Sequence, residues 1–380
     1  MKLALVVPGG VDRSGEYRVI PVLLTLIEHL ARNHEVHVFA LRQEARPDRW
    51  SLAGATIHNI GDGWPRRRAI AAIRAEHRRA PFDAIQSIFS GSCSFVAVAA
   101  ARWLRVPSLV HIAGGELVAL HAIGYGGRRH WRSRVREAIT LRMASAVTAA
   151  SGPIIESLQA LGIHGWRVPL GVDLSAWPPL PPRNRAPGPA RLLHVASLNR
   201  VKDQTTLLRA LAMLAQQGVN FHMEMVGVDT LDGEMQALAS ELKLETHISF
   251  LGFKTQRQLR PIMERADLLV MSSLHEAGPL VLLEAAIAGV PTVGTAVGHV
   301  AEWSPTAALA VPIGDTDALA QAVARVLSDE SLRLRLAWAA QCRALVEDAE
   351  YTARAFDALY VRLALERRAR SEWRGVSGEE

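Results

Sequence analysis

The sequence has 380 residues, of which 49% are hydrophobic and 21% charged, with a mean hydropathy of +0.11; this excludes disorder as the main state and predicts about two domains at roughly 100–200 residues each. The 43 Lys and Arg residues outnumber the 37 Asp and Glu residues, and the excess lies in residues 1–190, with 24 basic against 13 acidic, whereas residues 191–380 have 19 against 24. The two cysteines, Cys93 and Cys342, are too few for a disulfide framework or a four-cysteine metal site, which favours a reduced, cytosolic protein.

The first half of the chain alternates apolar runs of strand length with longer helical patterns. The opening MKLALVVPGG is too short for a signal-peptide core, so we expect a first strand there, and the uninterrupted apolar runs are too short to cross a bilayer. Strands are predicted at Lys2–Val7, Glu35–Ala40, Ala84–Ile88, Ser108–Ile112 and Ala146–Ala149. Helices are predicted at Arg18–Ala31, Arg66–Arg79, Ser94–Leu104 and Pro153–Leu161. Such alternation is typical of a parallel sheet covered by helices.

The second half repeats this rhythm. Strands are predicted at Leu192–Ser197, His222–Val226, Ile248–Leu251, Leu268–Met271 and Pro291–Gly294, with helices between them and three more afterwards. A further helical stretch runs from Tyr351 to Arg370. The predicted fold class is therefore α/β, with two Rossmann-like, doubly wound parallel-sheet domains.

The boundary between the halves is marked by proline. Residues 169–191 contain 7 of the 19 prolines, and proline can continue neither a helix nor a central strand. The predicted organisation is an N-terminal Rossmann-like domain at residues 1–170, a Pro-rich linker at 171–190, a C-terminal Rossmann-like domain at 191–350, and a C-terminal helix and tail at 351–380 that packs back on the N-terminal domain.

Two glutamates, Glu276 and Glu284, flank a predicted helix start in the segment SSLHEAGPLVLLEAAIAGVPTVGT. Pro279, the apolar stretch after it and Gly289 at its end predict a helix with the proline at its first position. Leucine, valine, alanine and isoleucine residues surround Glu284, so its carboxylate should be buried and needs a partner. An ordinary glutamate on a helix surface would not be so enclosed.

The start of this helix is a predicted phosphate site. Amides in the first turn of a helix have no intrahelical partner, and the helix dipole adds positive charge there. The amides concerned belong to Gly278, Leu280 and Val281. The path from Pro279 to Glu284 is about 8 Å at roughly 1.5 Å per residue, so the two carboxylates could bracket a ligand with a phosphate in its middle. A nucleotide sugar has that shape.

This block and its surroundings resemble the retaining glycosyltransferases of family 4, which have the two-domain GT-B fold. The matching segments are PLGVDLSAW, VASLNRVKDQTTLLRAL, MVGVDTLDGEMQAL, ISFLGF, ADLLVMSSLHEAGPLVLLEAAIAGVPTVGT and VGHVAEW, and the resemblance runs from the first strand to the helix before Glu350. It implies that Glu276 contacts the hydroxyls of the donor sugar, that Glu284 contacts the ribose hydroxyls, and that Lys202 holds the departing diphosphate. The implied donor is a UDP or GDP sugar, with no other cofactor, and the N-terminal domain takes the acceptor.

The position of Lys202 indicates a ligand-binding role independently of the family resemblance. It follows a predicted strand and precedes a helix, so it stands at the carboxyl edge of a parallel sheet, where ligands bind. The family places an arginine five residues earlier, but this sequence has Ser197 there, and Asn199 or Arg200 is expected to supply that contact. The resemblance adds Gly227, in MVGVDTLDGEMQAL, to the donor-binding residues.

Two glycine-rich segments of the first half resemble loops of the family. VVPGGVDRSGEYR lacks the spacing of the dinucleotide fingerprint, which excludes a nicotinamide enzyme; the resemblance places Gly10 near the donor and Gly9 on the acceptor side. HIAGGELVALHAIGYGG has Ala113 where the family often has a histidine, and His111 or His121 could compensate. The further residues predicted on the acceptor side are Glu116, His111 and Tyr125.

Basic helical stretches at Arg66–Ala80 and Arg128–Arg136 carry apolar residues between the arginines. Such helices can lie on an anionic membrane or hold an acidic or phosphorylated acceptor, and a solvated arginine-rich surface is the alternative. Nucleic acid is excluded as a partner because the arginines are not interleaved with aromatics and no binding motif is present. We expect a cytoplasmic protein, and a peripheral position at the cytoplasmic face of a membrane stays open.

No metal site is predicted. Asp315 and Asp317 resemble the metal-binding acid pair of another glycosyltransferase fold, but they open a helix, where Asp is a good N-cap. His34 and His37 lie three residues apart on a predicted strand and therefore point to opposite faces.

The sequence thus predicts a retaining, metal-independent glycosyltransferase that moves a sugar from a nucleotide-diphosphate sugar to a hydroxyl of a saccharide or lipid-linked acceptor, in cell-surface glycan or glycolipid synthesis. Two alternatives remain. Ser197 and Ala113, in place of usual family residues, would suit a nucleotide-sugar-binding protein without transferase activity. A GT-B epimerase or phosphorylase is the other.

Overall fold

A computed structural model describes residues 1–376, with side chains described through residue 369; the end of the predicted tail, residues 377–380, lies outside the described residues. The chain forms two compact units. The first unit contains Met1–Leu170 and the chain from Ala349 onward, and the second contains Gly171–Asp348.

The first unit contains an eight-stranded sheet. Its strands are β1 (Lys2–Val7), β2 (Glu35–Ala40), β3 (Asp48–Leu52), β4 (Ala55–Asn59), β5 (Ala84–Ile88), β6 (Ser108–Ile112), β7 (Ala146–Ala149) and β8 (Trp166–Arg167). They lie side by side in the order β3-β4-β2-β1-β5-β6-β7-β8. All neighbours are parallel except β3 and β4. Every residue of β1 is buried, as expected of a central strand covered on both faces.

Helices cover both faces of this sheet. They are α1 (Pro21–Ala31), α2 (Pro65–Arg79), α3 (Ser92–Leu104), α4 (Trp131–Met143) and α5 (Gly152–Ala160). One core cluster joins α1 to β1, β2 and β4, and another joins α2 and α3 to the opposite face of the sheet. The predicted strands of this half all have the bounds that the structure gives them.

The second unit contains a six-stranded, fully parallel sheet. Its strands are β9 (Ala190–Val195), β10 (Phe221–Val226), β11 (Ile248–Gly252), β12 (Leu268–Met271), β13 (Thr292–Thr295) and β14 (Leu309–Val311), in the order β11-β10-β9-β12-β13-β14. Its helices are α6 (Gln204–Gln216), α7 (Glu234–Glu241), α8 (Gln256–Arg265), α9 (Leu280–Ile287), α10 (Gly298–Trp303), α11 (Thr316–Ser328) and α12 (Glu330–Val346). The order reverses between β9 and β12, and such a switch point is where an open α/β sheet binds ligands.

The C-terminal helix α13 (Ala349–Val376) belongs to the first unit. Phe356 and Tyr360 are fully buried in the core that α1 and β1 share. At its start, the Thr352 hydroxyl donates to the Pro169 carbonyl at 2.8 Å. The last helix therefore completes a core whose other elements come from the first half of the chain.

The Pro-rich segment is part of the second unit and not a free connection. The Leu180 amide donates to the Ile287 carbonyl at 3.0 Å, and Gln341 Nε2 donates to the Leu180 carbonyl at 2.6 Å. Arg333 Nη2 donates to the Arg183 carbonyl at 2.5 Å. These bonds hold the segment against α9 and α12.

Some local features differ from the predictions. The hairpin of β3 and β4 and the short edge strands β8 and β14 are absent from the predicted strands. Pro279 was predicted as the first residue of a helix, but it is the N-cap, with extended φ and ψ of −68° and 115°, and α9 begins at Leu280. Gly289, with φ +72°, ends that helix as predicted.

Candidate functional site

The two predicted catalytic side chains meet in the second unit. Lys202 ends a short 3-10 turn after β9, and Glu276 lies in the loop between β12 and α9. Lys202 Nζ lies 2.5 Å from Glu276 Oε1, and the Ser273 hydroxyl donates to the same oxygen at 2.7 Å. The side chains of the pair are 24% and 12% exposed. A partly buried ion pair of this kind remains open to an incoming ligand.

The loops that carry this pair are bonded to each other. The Leu274 amide donates to the Val201 carbonyl at 2.8 Å, and the Ser272 hydroxyl donates to the Lys202 carbonyl at 2.8 Å. The Asn199 side chain accepts from the Lys202 amide at 3.3 Å. These bonds fix the backbone on both sides of the ion pair, so its geometry does not depend on two flexible side chains alone.

Glu284 is buried, as its apolar neighbours predict. It is 3% exposed, and Gln256 Nε2 donates to its Oε1 at 2.7 Å. Burial raises the pKa of Glu284 to about 7, against the lowering effect of the Gln256 hydrogen bond. Gln256 is itself fixed by Trp177, whose Nε1 donates to its Oε1 at 2.6 Å. Gln256 carries no sequence signal, whereas Trp177 lies in the PLGVDLSAW segment.

The segment from Gly278 to Val281 contains the start of α9. Pro279 is extended, and the helix begins at Leu280. Because Pro279 is the N-cap, the first-turn amides without an intrahelical partner are those of Leu280 and Val281. Gly298, at the start of α10, allows this turn to pack closely. A Cβ there would lie 3.0 Å from the Glu276 carbonyl oxygen, and its φ is +50°. Gly298 was not among the predicted site residues, although it lies in the VGHVAEW segment.

The other predicted donor-side residues have different surroundings. Arg200 Nη2 lies 2.8 Å from Glu234 Oε1, and both side chains are exposed. Of the two candidates for the contact missing at Ser197, Asn199 supports the Lys202 backbone and Arg200 pairs with Glu234. Gly227 follows β10 where the chain passes close to β9, because a Cβ there would be 1.9 Å from the Ala196 carbonyl oxygen.

In the first unit, Gly9 and Gly10 lie in the loop after β1. Gly10 has φ +81°, and a Cβ there would lie 2.5 Å from Ile20 Cγ1. Gln43 Oε1 accepts from the Gly10 and Val11 amides at 2.7 and 3.0 Å. The Gly10 amide, predicted to face the donor, is therefore already bonded to this side chain.

Glu116 supports a loop. Its two carboxylate oxygens accept from the Ser90 and Gly114 amides at 3.0 and 2.7 Å. Burial raises its pKa, against the lowering effect of these amides. Tyr125 lies in the same loop and packs on Gly115, where a Cβ would lie 2.4 Å from the ring. Both predicted acceptor-side residues are thus brought together, with the Glu116 oxygens occupied by backbone.

His111 requires a correction. Its side chain has no exposed surface, its Nδ1 lies 2.9 Å from the Thr148 hydroxyl, and its ring packs edge-on against Phe356. Burial lowers its pKa to about 3. A core histidine in this position cannot touch an acceptor. His121, the alternative considered for Ala113, is exposed in a 3-10 turn.

Among the described side chains, one group has the composition of a metal site: His37, His58 and Glu76. His37 Nε2 lies 2.9 Å from Glu35 Oε1, and its Nδ1 lies 3.0 Å from His58 Nε2. Lys2 Nζ lies 3.2 Å from Glu76 Oε1. These groups satisfy one another, and an ion would have to displace the Lys2 ammonium. The Asp315 side chain accepts from the Ala318 amide at 2.9 Å and caps α11, as predicted.

Within residues 1–376, no helix combines the length and the apolarity that crossing a membrane requires.

Solved structures share this architecture across nearly the whole chain. Sucrose-phosphate synthase from Thermosynechococcus elongatus is similar with a TM-score of 0.79 and 20% sequence identity, over 96% of this chain and 99% of that one. The HepE protein from Anabaena, solved in complex with UDP-glucose, gives a TM-score of 0.73 and 17% identity over 95% of this chain and 100% of that one. With two parallel-sheet α/β units, the protein has the GT-B fold.

Sequence comparisons identify the family. The model of Glycosyl transferases group 1 matches residues 181–343, and that of Glycosyltransferase Family 4 matches residues 21–176. The two models between them match most of the chain, which therefore belongs to the group 1 and family 4 glycosyltransferases. The amylovoran biosynthesis glycosyltransferase AmsK from Erwinia amylovora is 29% identical over 152 residues, which are 38% of this chain and 37% of that protein. The matches span between 37% and 65% of the length of the curated relatives.

Proposed function

We propose that this protein is a retaining, metal-independent glycosyltransferase that moves a sugar from a nucleotide-diphosphate sugar to a hydroxyl of a saccharide or lipid-linked acceptor. The observation that carries the proposal is the Lys202–Glu276 ion pair at the carboxyl edge of the second sheet, with buried Glu284 on the following helix. The UDP-glucose complex of HepE supports a UDP sugar as donor, and AmsK, an amylovoran biosynthesis glycosyltransferase, supports a role in polysaccharide synthesis. Free Cys93 and Cys342 suit the reducing cytoplasm.

Lys202 is the group suited to the leaving diphosphate. When a donor binds, its ammonium can exchange one carboxylate oxygen of Glu276 for the phosphate oxygens. The bond between the anomeric carbon and the phosphate oxygen breaks, and its electron pair leaves with the diphosphate. The acceptor oxygen forms the new bond on the same face and its proton passes to the departing phosphate oxygen. Preorganised charge at the site of developing charge is usually the largest contribution to such catalysis.

Glu276 then acts on the sugar. Release from Lys202 leaves an oxygen that can accept from sugar hydroxyls and that lies near the positive charge developing at the anomeric carbon. Ser273 keeps its hydrogen bond to the carboxylate and holds its orientation. No covalent intermediate is required. In its ionised form, Glu284 would accept hydrogen bonds from the ribose hydroxyls.

The test is a thermal-shift panel of UDP, GDP and ADP sugars. The best binder is then incubated with and without a crude lipid or saccharide extract, and nucleoside diphosphate release is measured. We expect one sugar nucleotide to stabilise the protein and release to depend on the extract. Lys202→Ala should slow release by about 10²–10³-fold, whereas Glu241→Gln, on the exposed face of α7, should leave it unchanged.

Other outcomes separate the alternatives. Stabilisation without release in any extract would favour a binding protein, and an altered sugar nucleotide formed without acceptor would favour an epimerase. Release only with inorganic phosphate would favour a phosphorylase. Comparison of the anomeric configuration of donor and product by NMR tests retention, and inversion would overturn it.

A further inference from the structure

Helix α4 exposes an apolar stripe. Trp131, Val135, Ile139 and Met143 recur at every fourth position, so they lie on one face of the helix, and they are 62%, 50%, 53% and 41% exposed. An amphipathic helix normally buries this stripe, and its polar residues face solvent. In α4 the buried side chains include Glu137 instead. An exposed stripe of this size is typical of a binding surface.

The stripe forms one wall of a groove. Phe95, Val98 and Ala99 of α3 form the other wall, and the groove has a volume of about 400 Å³. Its polar lining consists of Thr140 and the arginines Arg132 and Arg136. The volume lies in the range of small-ligand sites, and the lining is suited to a hydrocarbon chain.

A second cavity, of about 870 Å³, lies at the carboxyl edge of the same sheet. It is bounded by the residues after β1, β2 and β5 and by the start of α2. Three arginines line it: Arg42, Arg66 and Arg67. Among the described residues, none of the three forms an ion pair with a carboxylate. This feature is the arginine pocket.

The positive charges of this pocket are held close together. Burial lowers the pKa of Arg66, and the charges of Arg136 and Arg42 lower it further. The Arg66 guanidinium is fixed by the Ser92 hydroxyl, which accepts from its Nε and Nη2 at 3.2 and 3.1 Å. An oriented guanidinium without a carboxylate is well suited to a phosphate, which it can bind through two hydrogen bonds.

The arginine pocket and the groove adjoin at Phe95, which lines both. The Arg66 guanidinium carbon lies 5.9 Å from the centre of the Phe95 ring. Arg136, on the wall of the groove, is close enough to Arg66 to act on its charge. The first unit therefore places the arginine pocket and the apolar groove end to end.

We propose that this combined site binds one amphiphilic anion, a lipid phosphate, with its phosphate in the arginine pocket and its hydrocarbon chain in the groove between α3 and α4. The site would make the acceptor a lipid-linked phosphate or diphosphate, and that assignment as acceptor rests on the proposed function. Binding itself does not, because it involves the first unit alone and needs no sugar nucleotide.

The test measures binding of farnesyl phosphate, below its aggregation concentration and without donor, by calorimetry. Farnesol has the chain without the phosphate, and inorganic phosphate has the charge without the chain. We expect both to bind at least about tenfold more weakly than farnesyl phosphate, because each loses one half of the site.

Two variants test which part of the ligand the groove and the arginine pocket each bind. Ile139→Asp should weaken farnesyl phosphate about tenfold or more and leave inorganic phosphate unchanged, whereas Arg66→Gln should weaken both. The matched controls are Val361→Asp on α13, where Val361 is 52% exposed, and Arg78→Gln on the exposed face of α2; both should bind as the unchanged protein does. Each variant is first checked for an unchanged melting temperature; where Ile139→Asp or Arg66→Gln fails this check, Ile139→Ser or Arg66→Lys takes its place.

Equal binding of farnesol and farnesyl phosphate would overturn the proposal, as would binding that neither Ile139→Asp nor Arg66→Gln weakens. Sedimentation with phosphatidylglycerol vesicles that requires Ile139, without any binding of monomeric farnesyl phosphate, would overturn it too and assign the stripe to a membrane surface. A protein that binds farnesyl phosphate but releases no nucleoside diphosphate would retain this site and lose the proposed function.

Discussion

The carboxyl edges of the two sheets hold their charges differently. In the second unit, Lys202 and Glu276 neutralise each other, and Glu284 is bonded to Gln256. In the first unit, Arg42 and Arg66 face a cavity without a carboxylate partner among the described residues. An edge whose charges are paired can exchange them for a ligand with both phosphate and hydroxyl groups. The edge of the first sheet, with cations that have no carboxylate partner among the described residues, is suited to an anionic group.

The two units also bury acidic side chains in different surroundings. Burial raises the pKa of Glu284 in the second unit and of Glu137 in the first unit to about 7, and in the first unit it also raises the pKa of Glu116. Glu284 has a good hydrogen-bond donor, whereas among the described residues Glu137 accepts only from the Ser90 hydroxyl, at 3.4 Å, and its second oxygen is buried without a partner there. Similar pKa values therefore arise at a candidate binding residue and at a residue of the α3–α4 region.

The largest effect is expected at Lys202. Lys202→Ala removes the charge that we assign to the leaving diphosphate and leaves Glu276, with a 12% exposed side chain, without its cation. Turnover should fall by about 10²–10³-fold, the cost of one preorganised donor. Single-turnover rates at saturating donor measure it, with Lys243→Gln, an exposed lysine in the same unit, as control. A loss below threefold would refute the assignment.

Glu276→Gln separates catalysis from binding. The amide keeps the size of the carboxylate but removes the negative charge beside the reacting carbon. We expect kcat to fall about 10²-fold, with donor affinity changed by less than about threefold, since the contact matters most in the transition state. Equilibrium binding and turnover are measured on the same preparation. Unchanged activity would mean that the paired edge is structural.

Glu284 makes donor binding depend on pH. Because its pKa is about 7, about a tenth of the carboxyl is ionised at pH 6 and about nine tenths at pH 8. In the proposed role, ribose hydroxyls donate to the ionised form, so affinity for the sugar nucleotide should rise about tenfold from pH 6 to pH 8. Glu284→Gln should bind weakly with a flat profile in calorimetry. Parallel profiles in both proteins would contradict this role.

The sequence predicts the sheets well because their strands are buried on both faces and appear as continuous apolar runs. The exceptions lie at the sheet edges: the hairpin of β3 and β4 and the short strands β8 and β14. Asp48–Leu52 is polar and mostly exposed, and its strand exists because it pairs with Ala55–Asn59. Pairing with a neighbour, rather than burial, forms such a strand, and a local pattern does not contain that information.

In the candidate site, too, local sequence patterns predict some residues, whereas contacts between distant segments determine the others. Lys202, Glu276 and Glu284 stand in recognisable segments, and the structure brings the first two into contact. Gln256 reaches Glu284 from a different helix, 28 residues away, and nothing near it in sequence marks that contact. His111 lies in a segment that resembles a family loop, but it belongs to β6, which is buried on both faces, and its ring packs against Phe356 of the C-terminal helix. In both cases a contact between residues far apart in the sequence decides the surroundings of the side chain.

The smallest effect concerns Glu137 and tests the first unit. Its pKa is raised from 4.5 to about 7, so the folded state binds a proton that the unfolded state has already released between these values. Stability from this group is therefore lost as pH rises from about 4.5 to about 7, about 3 kcal/mol in all, of which about 2 kcal/mol is lost between pH 5 and pH 8. Urea denaturation at pH 5 and pH 8 should show this loss in the unchanged protein and in Glu156→Gln, an exposed glutamate of α5. Glu137→Gln should lose about 2 kcal/mol less than both over the same interval, whatever its absolute stability. An equal loss in all three proteins would mean that Glu137 is ionised in the fold, and the two units would then differ in their buried acids as well as in their surface charges.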